Sequence, residues 1–374
     1  MVRLAYAHDG ISSYDELFLK AFREVYDVYV LTFHPSPICV PEGVKIVRMR
    51  DFIPETNVHP FEGARKHLLT PLRAYALKKV LQKVRPNVLV GCWASTYGFY
   101  SAYSNFHPFI LFVWGSDVLV FPRKYFPLKP FIFYSLRKAD VVVVDSEVQR
   151  QAAIGLGCEP AKIVKFPWVS LSGFSRNEVQ RQKIRRECGW SDKDIVVISL
   201  RYHRPIYGVE YLIDAIPQVL AKNKNVKFLI LGDGPLTNTF KAKMAGFIKS
   251  GCVRFVGAVP HKRIVDYLSA ADIYVSTSFS DGTSASLLEA MACSLAPVVT
   301  EIFGNREWVE DEVNGLLVPV ANSEKLAEKI LLLANDYKLR KALEEKAMET
   351  VKKRVNWQKN IQQLTEIIDK MVSA

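Results

Sequence analysis

The sequence predicts an α/β protein of two doubly wound domains, each a parallel sheet with helices on both faces. Three observations lead there. Short apolar runs alternate with helical patterns along almost the whole chain. Those runs are apolar nearly throughout, not on alternate residues, as strands covered on both faces are. The 374 residues suit two or three domains, at the usual ~100–200 residues each.

In order, the strand candidates of the first half are RLAYAH, DVYVLTF, VKIVRM, NVLVGCW, FILFVW and VVVVD. Those of the second half are IVVISL, VKFLILG, VRFVGAV, DIYVSTS, APVVT and GLLVPV. Between the halves, KFPWVSLSGFSRNE (165–178) gathers Pro, Gly and Ser without a helical period, and is the expected joint. The expected domains are 1–168 and 169–356. Two helices close the chain, DYKLRKALEEKAMETVKKR and NWQKNIQQLTEIIDKMV. The last, within 357–374, has apolar spacing at Trp357, Ile361, Leu364 and Ile368. It is assigned to the first domain, with a cap on the second as the alternative.

A net charge of +12 implies an anionic partner. Basic residues concentrate in a predicted helix at 63–85 and in FPRKYFPLKPFIFYSLRK (121–138). The second segment has no acid and mixes Phe and Tyr with Lys and Arg, as segments at anionic membrane surfaces do. An ordinary helix with a solvated basic face is the alternative. No helix-turn-helix, zinc-finger or RNA-recognition signature accompanies the charge, so nucleic acid is not an expected partner.

The opening MVRLAYAHDG lacks the apolar run of a secretory signal. The most apolar stretch, PFILFVWGSDVLVF, is interrupted by Asp117 and is shorter than the ~20 residues of a membrane span. Cys39, Cys92, Cys158, Cys188, Cys252 and Cys293 include no CxxC pair, the pattern of reduced thiols. A cytoplasmic protein is expected, peripheral on the cytoplasmic membrane face if the basic segment docks there. GxxxxGK[ST], HExxH and GxSxG are missing, and Asp192-Lys193-Asp194 precedes a strand, where it reads as a solvated turn. Neither metal nor cofactor is expected.

Ligands of open parallel sheets bind beyond the carboxyl ends of strands, so the cleft between two such domains is the expected site. Arg201 follows IVVISL, with His203 and Arg204 next and Gly208 opening a helix. Cations there suit a diphosphate, with helix-start amides assisting; a basic surface loop is the alternative. Gly232-Asp233-Gly234-Pro235 resembles the start of a dinucleotide fingerprint, but Thr237 takes the third glycine's place, and a tight turn explains it as well.

SDGTSASLLEAM (280–291) follows DIYVSTS and has two readings. Ser286-x-x-Glu289 fits a capping box. Alternatively, Gly282, Thr283 and Ser284 offer helix-start amides to a phosphate, while Asp281 and Glu289 accept bonds from sugar hydroxyls. In the first half, Gly10 before Ser12–Ser13 and Asp117 beside Gly115 and Ser116 occupy strand-end loops, either facing a ligand or simply capped.

In this order and spacing the motifs resemble those of the retaining glycosyltransferases of family 4, also called glycosyl transferases group 1. That family has the GT-B fold, two Rossmann-like domains facing each other across a cleft. The resemblance is strongest over about 195–320. Asp281-x7-Glu289, followed by Ala290-Met291-Ala292, matches the family's Glu-x7-Glu element, and FLILGDGP, VRFVGAVP, YLSAADIYVSTS and EWVEDEVNGLLVP fall in the family's order.

The resemblance implies a nucleotide-sugar donor held mostly by the second domain. Glu289 would bind the ribose, Asp281 face the transferred sugar, and Gly282, Thr283 and Ser284 meet its hydroxyls or the phosphate. Arg201 would hold the diphosphate. Tyr207 stands where the family has Lys, so Arg204 or His203 is expected to supply the second cation. Phe255 and Val256 are expected near the base, with Gly232 and Gly10 also on the donor. Asp281, Arg201 and Asp117 are the expected catalytic residues. Asp in place of Glu at 281 sets the carboxylate roughly 1.5 Å back. The implied reaction is metal-independent hexosyl transfer, with retention, from a nucleoside diphosphate sugar to a hydroxyl of a glycan or lipid-linked acceptor. A nucleotide-sugar epimerase, a phosphorylase and a non-catalytic nucleotide-sugar binder are the alternatives.

Overall fold

Strands that are apolar on both faces need cover on both sides, and the chain supplies it twice. The computed structural model describes residues 1–49 and 70–373. The start of the predicted helix 63–85 therefore lies outside the described residues, and its remainder is the helix Thr70–Val84.

Strands β1 (Arg3–Ala7), β2 (Asp27–Thr32), β3 (Lys45–Arg48), β4 (Val88–Cys92), β5 (Phe109–Phe112), β6 (Val141–Val144) and β7 (Ile163–Lys165) form one sheet. Its order is β3-β2-β1-β4-β5-β6-β7, parallel throughout. Strands β8 (Ile195–Ser199), β9 (Val226–Leu231), β10 (Val253–Gly257), β11 (Ile273–Ser276), β12 (Ala296–Thr300) and β13 (Leu316–Val318) form the second. Its order is β10-β9-β8-β11-β12-β13, again parallel. Both are Rossmann-type orders. The direction of winding reverses between β1 and β4 in one and between β8 and β11 in the other. Patterning missed β7, which has three residues, ends in Lys165 and is followed after Phe166 by Pro167 of the joint.

Side-chain alternation divides each sheet between two cores. On β1, Leu4 and Tyr6 join Phe18, Phe22 and Phe112, while Ala5 and Ala7 join Leu77 and Leu136. On β8, Val197 faces one core and Val196 and Ile198 the other.

Two compact units result, one of Met1–Trp168 with Trp357–Ala374 and one of Val169–Asn356. The final helix, Trp357–Ser373, belongs to the first because its apolar face has a seat there. Leu364 and Ile368 are fully buried, Trp357 meets Phe18 edge to face, and the Tyr26 hydroxyl donates to Asp369 at 2.9 Å.

The basic-aromatic segment forms the helices Phe121–Lys124 and Lys129–Lys138, joined by a short 3-10 turn. Among the described residues no helix is long and apolar enough to cross a membrane.

Candidate functional site

The switch point of the second sheet is built around one guanidinium. Arg201 lies just past β8 and is 9% exposed. Its Nη2 donates to Asp281 Oδ2 at 2.5 Å, and its Nη1 to the hydroxyls of Ser284 at 2.9 Å and Ser286 at 3.2 Å. The Tyr207 ring lies beneath it, 4.4 Å from the guanidinium carbon. Burial alone would disfavour the charge, but Asp281 outweighs burial and raises the Arg201 pKa above its ordinary value. Nε is buried and has no partner among the described residues. The site thus holds a fixed positive charge whose Nε is unspent.

The loop after β11 supplies the partners. It leads into the helix Ala285–Ala292, whose N-cap is Ser284, and no side chain caps this start. The Ser286–Glu289 capping box is not formed. Ser286 lies inside the helix, and its hydroxyl meets Tyr274 Oη at 2.8 Å as well as Arg201. Glu289 is 4% exposed and one helical turn further in, where its Oε1 lies 2.6 Å from Nε2 of the half-exposed His261. The buried Thr283 accepts from Trp308 Nε1 at 3.3 Å. Asp281, Gly282, Thr283 and Ser284 therefore gather at the start of one helix around Arg201. Tyr274, His261 and Trp308 were not expected there, and Ser286 was expected only as a helix cap. Tyr274 lies inside YLSAADIYVSTS, His261 directly after VRFVGAVP and Trp308 inside EWVEDEVNGLLVP, so each sits in or beside a motif that marked its neighbourhood.

His203 is not the second cation. It is fully buried against Phe240 and Phe255, and its Nδ1 donates to Thr237 Oγ1 at 2.8 Å while that hydroxyl donates to Asp233. Burial lowers its pKa, so the ring is neutral at pH 7. Arg204 is half-buried, its guanidinium over the Tyr202 ring at 4.9 Å, and it stays a cation of this loop.

The Gly232–Gly234 turn has a packing reason. Gly232 has φ +102°, and a Cβ there would lie 2.3 Å from the Arg201 carbonyl oxygen. Glycine lets one strand-end loop press onto the backbone of the other. Phe255 and Val256 are half-buried at the end of β10.

In the first unit Gly10 has φ +69°, and a Cβ there would press on Pro37 and Val40. Close by lies a buried pair that patterning did not single out. His8 Nδ1 is 2.6 Å from Asp15 Oδ1, and Asp15 also takes the Tyr6 hydroxyl at 2.9 Å and the Ser12 amide at 2.9 Å. Asp15 closes a capping box with Ser12 at the start of the helix Ser13–Arg23. Burial favours the neutral imidazole, but Asp15 outweighs it and the His8 pKa is raised.

Asp117 does not present a carboxylate to ligand. It is fully buried, and its Oδ2 accepts the Ala94 amide at 2.8 Å, bracing the loop after β4. Burial raises its pKa to about 6, against backbone bonds that favour the charged form. Among the described residues, no cluster of three or more His, Cys, Asp or Glu side chains is arranged to hold a metal ion.

Residues 180–350 match the family model described as Glycosyl transferases group 1, and residues 6–146 the one described as Glycosyl transferase 4-like. An uncharacterized glycosyltransferase of Methanocaldococcus jannaschii is 31% identical over 170 residues, 44% of this chain and 43% of that protein. The N,N'-diacetylbacillosaminyl-diphospho-undecaprenol alpha-1,3-N-acetylgalactosaminyltransferase of Campylobacter jejuni is 30% identical over 216 residues, 56% of this chain and 54% of that one. The chain spans about half the length of these curated relatives. Among solved structures, Anabaena HepE in complex with UDP-glucose has a TM-score of 0.80 at 18% identity, covering 99% of this chain and all of that one. Sucrose-phosphate synthase from Thermosynechococcus elongatus has a TM-score of 0.80 at 18% identity, covering both chains completely. These likenesses show the fold, GT-B.

The raised pKa of Asp117 has a testable sign. Its stabilising contribution is present below the unfolded value near 3.8 and is lost as pH rises through about 6. Between pH 5 and 8 the loss is on the order of 1 kcal/mol, a few degrees of Tm. Thermal denaturation of wild type and Asp117→Asn at the two pH values should show the variant gaining on wild type by that amount at pH 8. Parallel Tm values would contradict this account of Asp117.

Proposed function

This chain belongs to the group 1 glycosyl transferases, and on that premise we propose that it moves a hexosyl unit from a nucleoside diphosphate sugar to an acceptor hydroxyl. The observation that carries the reading is the buried Arg201, paired to Asp281 and Ser284 where two adjacent strand ends meet a helix start. Such a place suits a diphosphate: a fixed cation, amides at the start of a helix and an environment that strengthens both.

In this reading Arg201 and the amides of Gly282, Thr283 and Ser284 take the charge that grows on the leaving diphosphate, with Arg204 as the second cation. Side chains and amides then do what a metal ion does elsewhere, and no metal takes part. Glu289 accepts from the ribose hydroxyls, with His261 fixing its carboxylate. Asp281 holds Arg201 with one oxygen and meets the transferred sugar with the other. Retention fits attack on the face the diphosphate leaves. The anomeric carbon–oxygen bond breaks toward the phosphate, the acceptor oxygen bonds to that carbon, and the hydroxyl proton passes to the departing phosphate oxygen.

The acceptor is a glycan or a lipid-linked sugar, a reading supported by the undecaprenol-linked substrate in the name of the Campylobacter relative. The first unit would reach it at an anionic membrane. Tyr125, Phe126 and Phe133 are 42%, 73% and 41% exposed, and Arg123, Lys124, Lys129 and Arg137 are exposed among them. Aromatic rings at the interface and cations toward anionic headgroups suit such a surface.

A thermal-shift panel of UDP-, GDP- and ADP-sugars tests the donor. A ligand at 100 times its Kd stabilises by ~2.7 kcal/mol, roughly 5–10 °C for units of this size. At least one donor should raise Tm, and Arg201→Gln should abolish the rise; a panel without any response would overturn the transferase reading.

Flotation with phosphatidylglycerol vesicles tests the surface. Binding at low salt should weaken about tenfold when Lys124→Ser and Phe126→Ser are combined, and should fall with salt. No binding at low salt would remove the membrane from this account.

A further inference from the structure

Glu289 is a buried carboxylate of which one oxygen is taken and the other is not. It shares a face of the helix Ala285–Ala292 with Ser286, three residues and about 4.5 Å further along the axis. Ser286 bonds to Arg201, so this face carries first a cation site and then a carboxylate. Glu289 is 4% exposed, and its Oε1 lies 2.6 Å from His261 Nε2. A carboxylate only accepts, so Nε2 carries the proton of that bond. Oε2 accepts from no described residue, and it is not one of the polar atoms sealed from solvent. A pair made only to tie two segments together has no use for that open oxygen. A hydroxyl donor bound there removes the cost of leaving it unpaired.

His261 is set for this contact by the loop after β10. Pro260 is extended, at φ −56° and ψ 140°, and His261 opens the 3-10 turn His261–Arg263. The Phe174 ring, from a segment far away in sequence, lies 5.6 Å from the imidazole at 47°. Arg263 in the same turn is held by Asp266 at 2.6 Å. The imidazole is thus the group turned to Glu289, while 53% of its own side chain stays open.

We propose that His261 is a positioning residue that makes Glu289 read one ribose hydroxyl instead of two. It holds Oε1, and Oε2 alone accepts from the sugar of the nucleotide. Ribose offers two neighbouring hydroxyls, at C2 and C3, and a carboxylate with both oxygens open can accept from each. With Oε1 committed to His261, one hydroxyl goes without this acceptor, and the site tolerates its loss. The inference rests on the transferase reading for the presence of a ribose, and adds to it the residue that decides how that ribose is recognised.

The probes are UDP, GDP and ADP with their 2′-deoxy and 3′-deoxy forms, titrated calorimetrically against the full chain. For the nucleotide that binds, one deoxy form should lose affinity about tenfold, the cost of one bond to a charged acceptor. The other should stay within about twofold of the parent. His261→Ala frees Oε1, so its two deoxy forms should lose affinity equally, to within about twofold. His261→Gln keeps an N–H donor at similar reach and should retain the wild-type contrast. Each variant must first melt within a few degrees of wild type; where His261→Ala does not, the contrast in the wild type decides. Equal effects of the two deletions in the wild type, or an unchanged contrast in a well-folded His261→Ala, would overturn the proposal. A nucleotide that binds without contrast leaves the transferase reading standing, whereas no binding by any of the three removes the ribose and both readings with it.

Discussion

A guanidinium kept charged inside the second unit is the interaction on which its strand-end loops depend. An unpaired buried charge is strongly destabilising, so Arg201 requires a carboxylate within reach. Asp281 provides it, and the hydroxyls of Ser284 and Ser286 take further donors. Bringing the three segments together leaves little room between backbones. A Cβ at Gly304 would lie 2.4 Å from the Gly282 oxygen and 2.5 Å from the Asp281 oxygen, as one at Gly232 would meet that of Arg201. The glycines thus follow from the ion pair: loops that must share one buried cation cannot carry side chains where they touch.

The first unit uses the same winding for different chemistry. Its switch point also lies between the first and fourth strands of the sheet, but among the described residues no buried arginine occupies the corresponding loop. Rings and a His–Asp pair stand there instead. One winding therefore carries two kinds of strand-end loop, one built on a buried cation and one on rings and a His–Asp pair.

Much of this was legible from residue patterns, and the misses share a cause. Near-continuous apolar runs revealed every strand except β7, too short to show a pattern. The spacing of Asp281 and Glu289 marked the helix start, and the strand-end position of Arg201 marked its loop. What patterns cannot show is depth. Asp117 and His203 looked like ligand groups because they lie just beyond strands, yet both are fully buried and turned to backbone or side-chain partners. The links from Ser286 to Tyr274 and from His261 to Glu289 span 12 and 28 residues and exist only once the helix is seated. Asp281, one methylene shorter than the family's Glu, is explained only in three dimensions, where it holds Arg201.

If Arg201 and Asp281 act as one unit in holding donor, their contributions cannot be independent. The direct test is a double-mutant cycle on the calorimetric affinity for the nucleoside diphosphate, using wild type, Arg201→Gln, Asp281→Asn and the double variant. The account predicts a coupling energy of at least about 1 kcal/mol, with the double variant little weaker than Arg201→Gln alone. Losses that add to within about 0.5 kcal/mol would contradict it, because the two residues would then meet the donor separately.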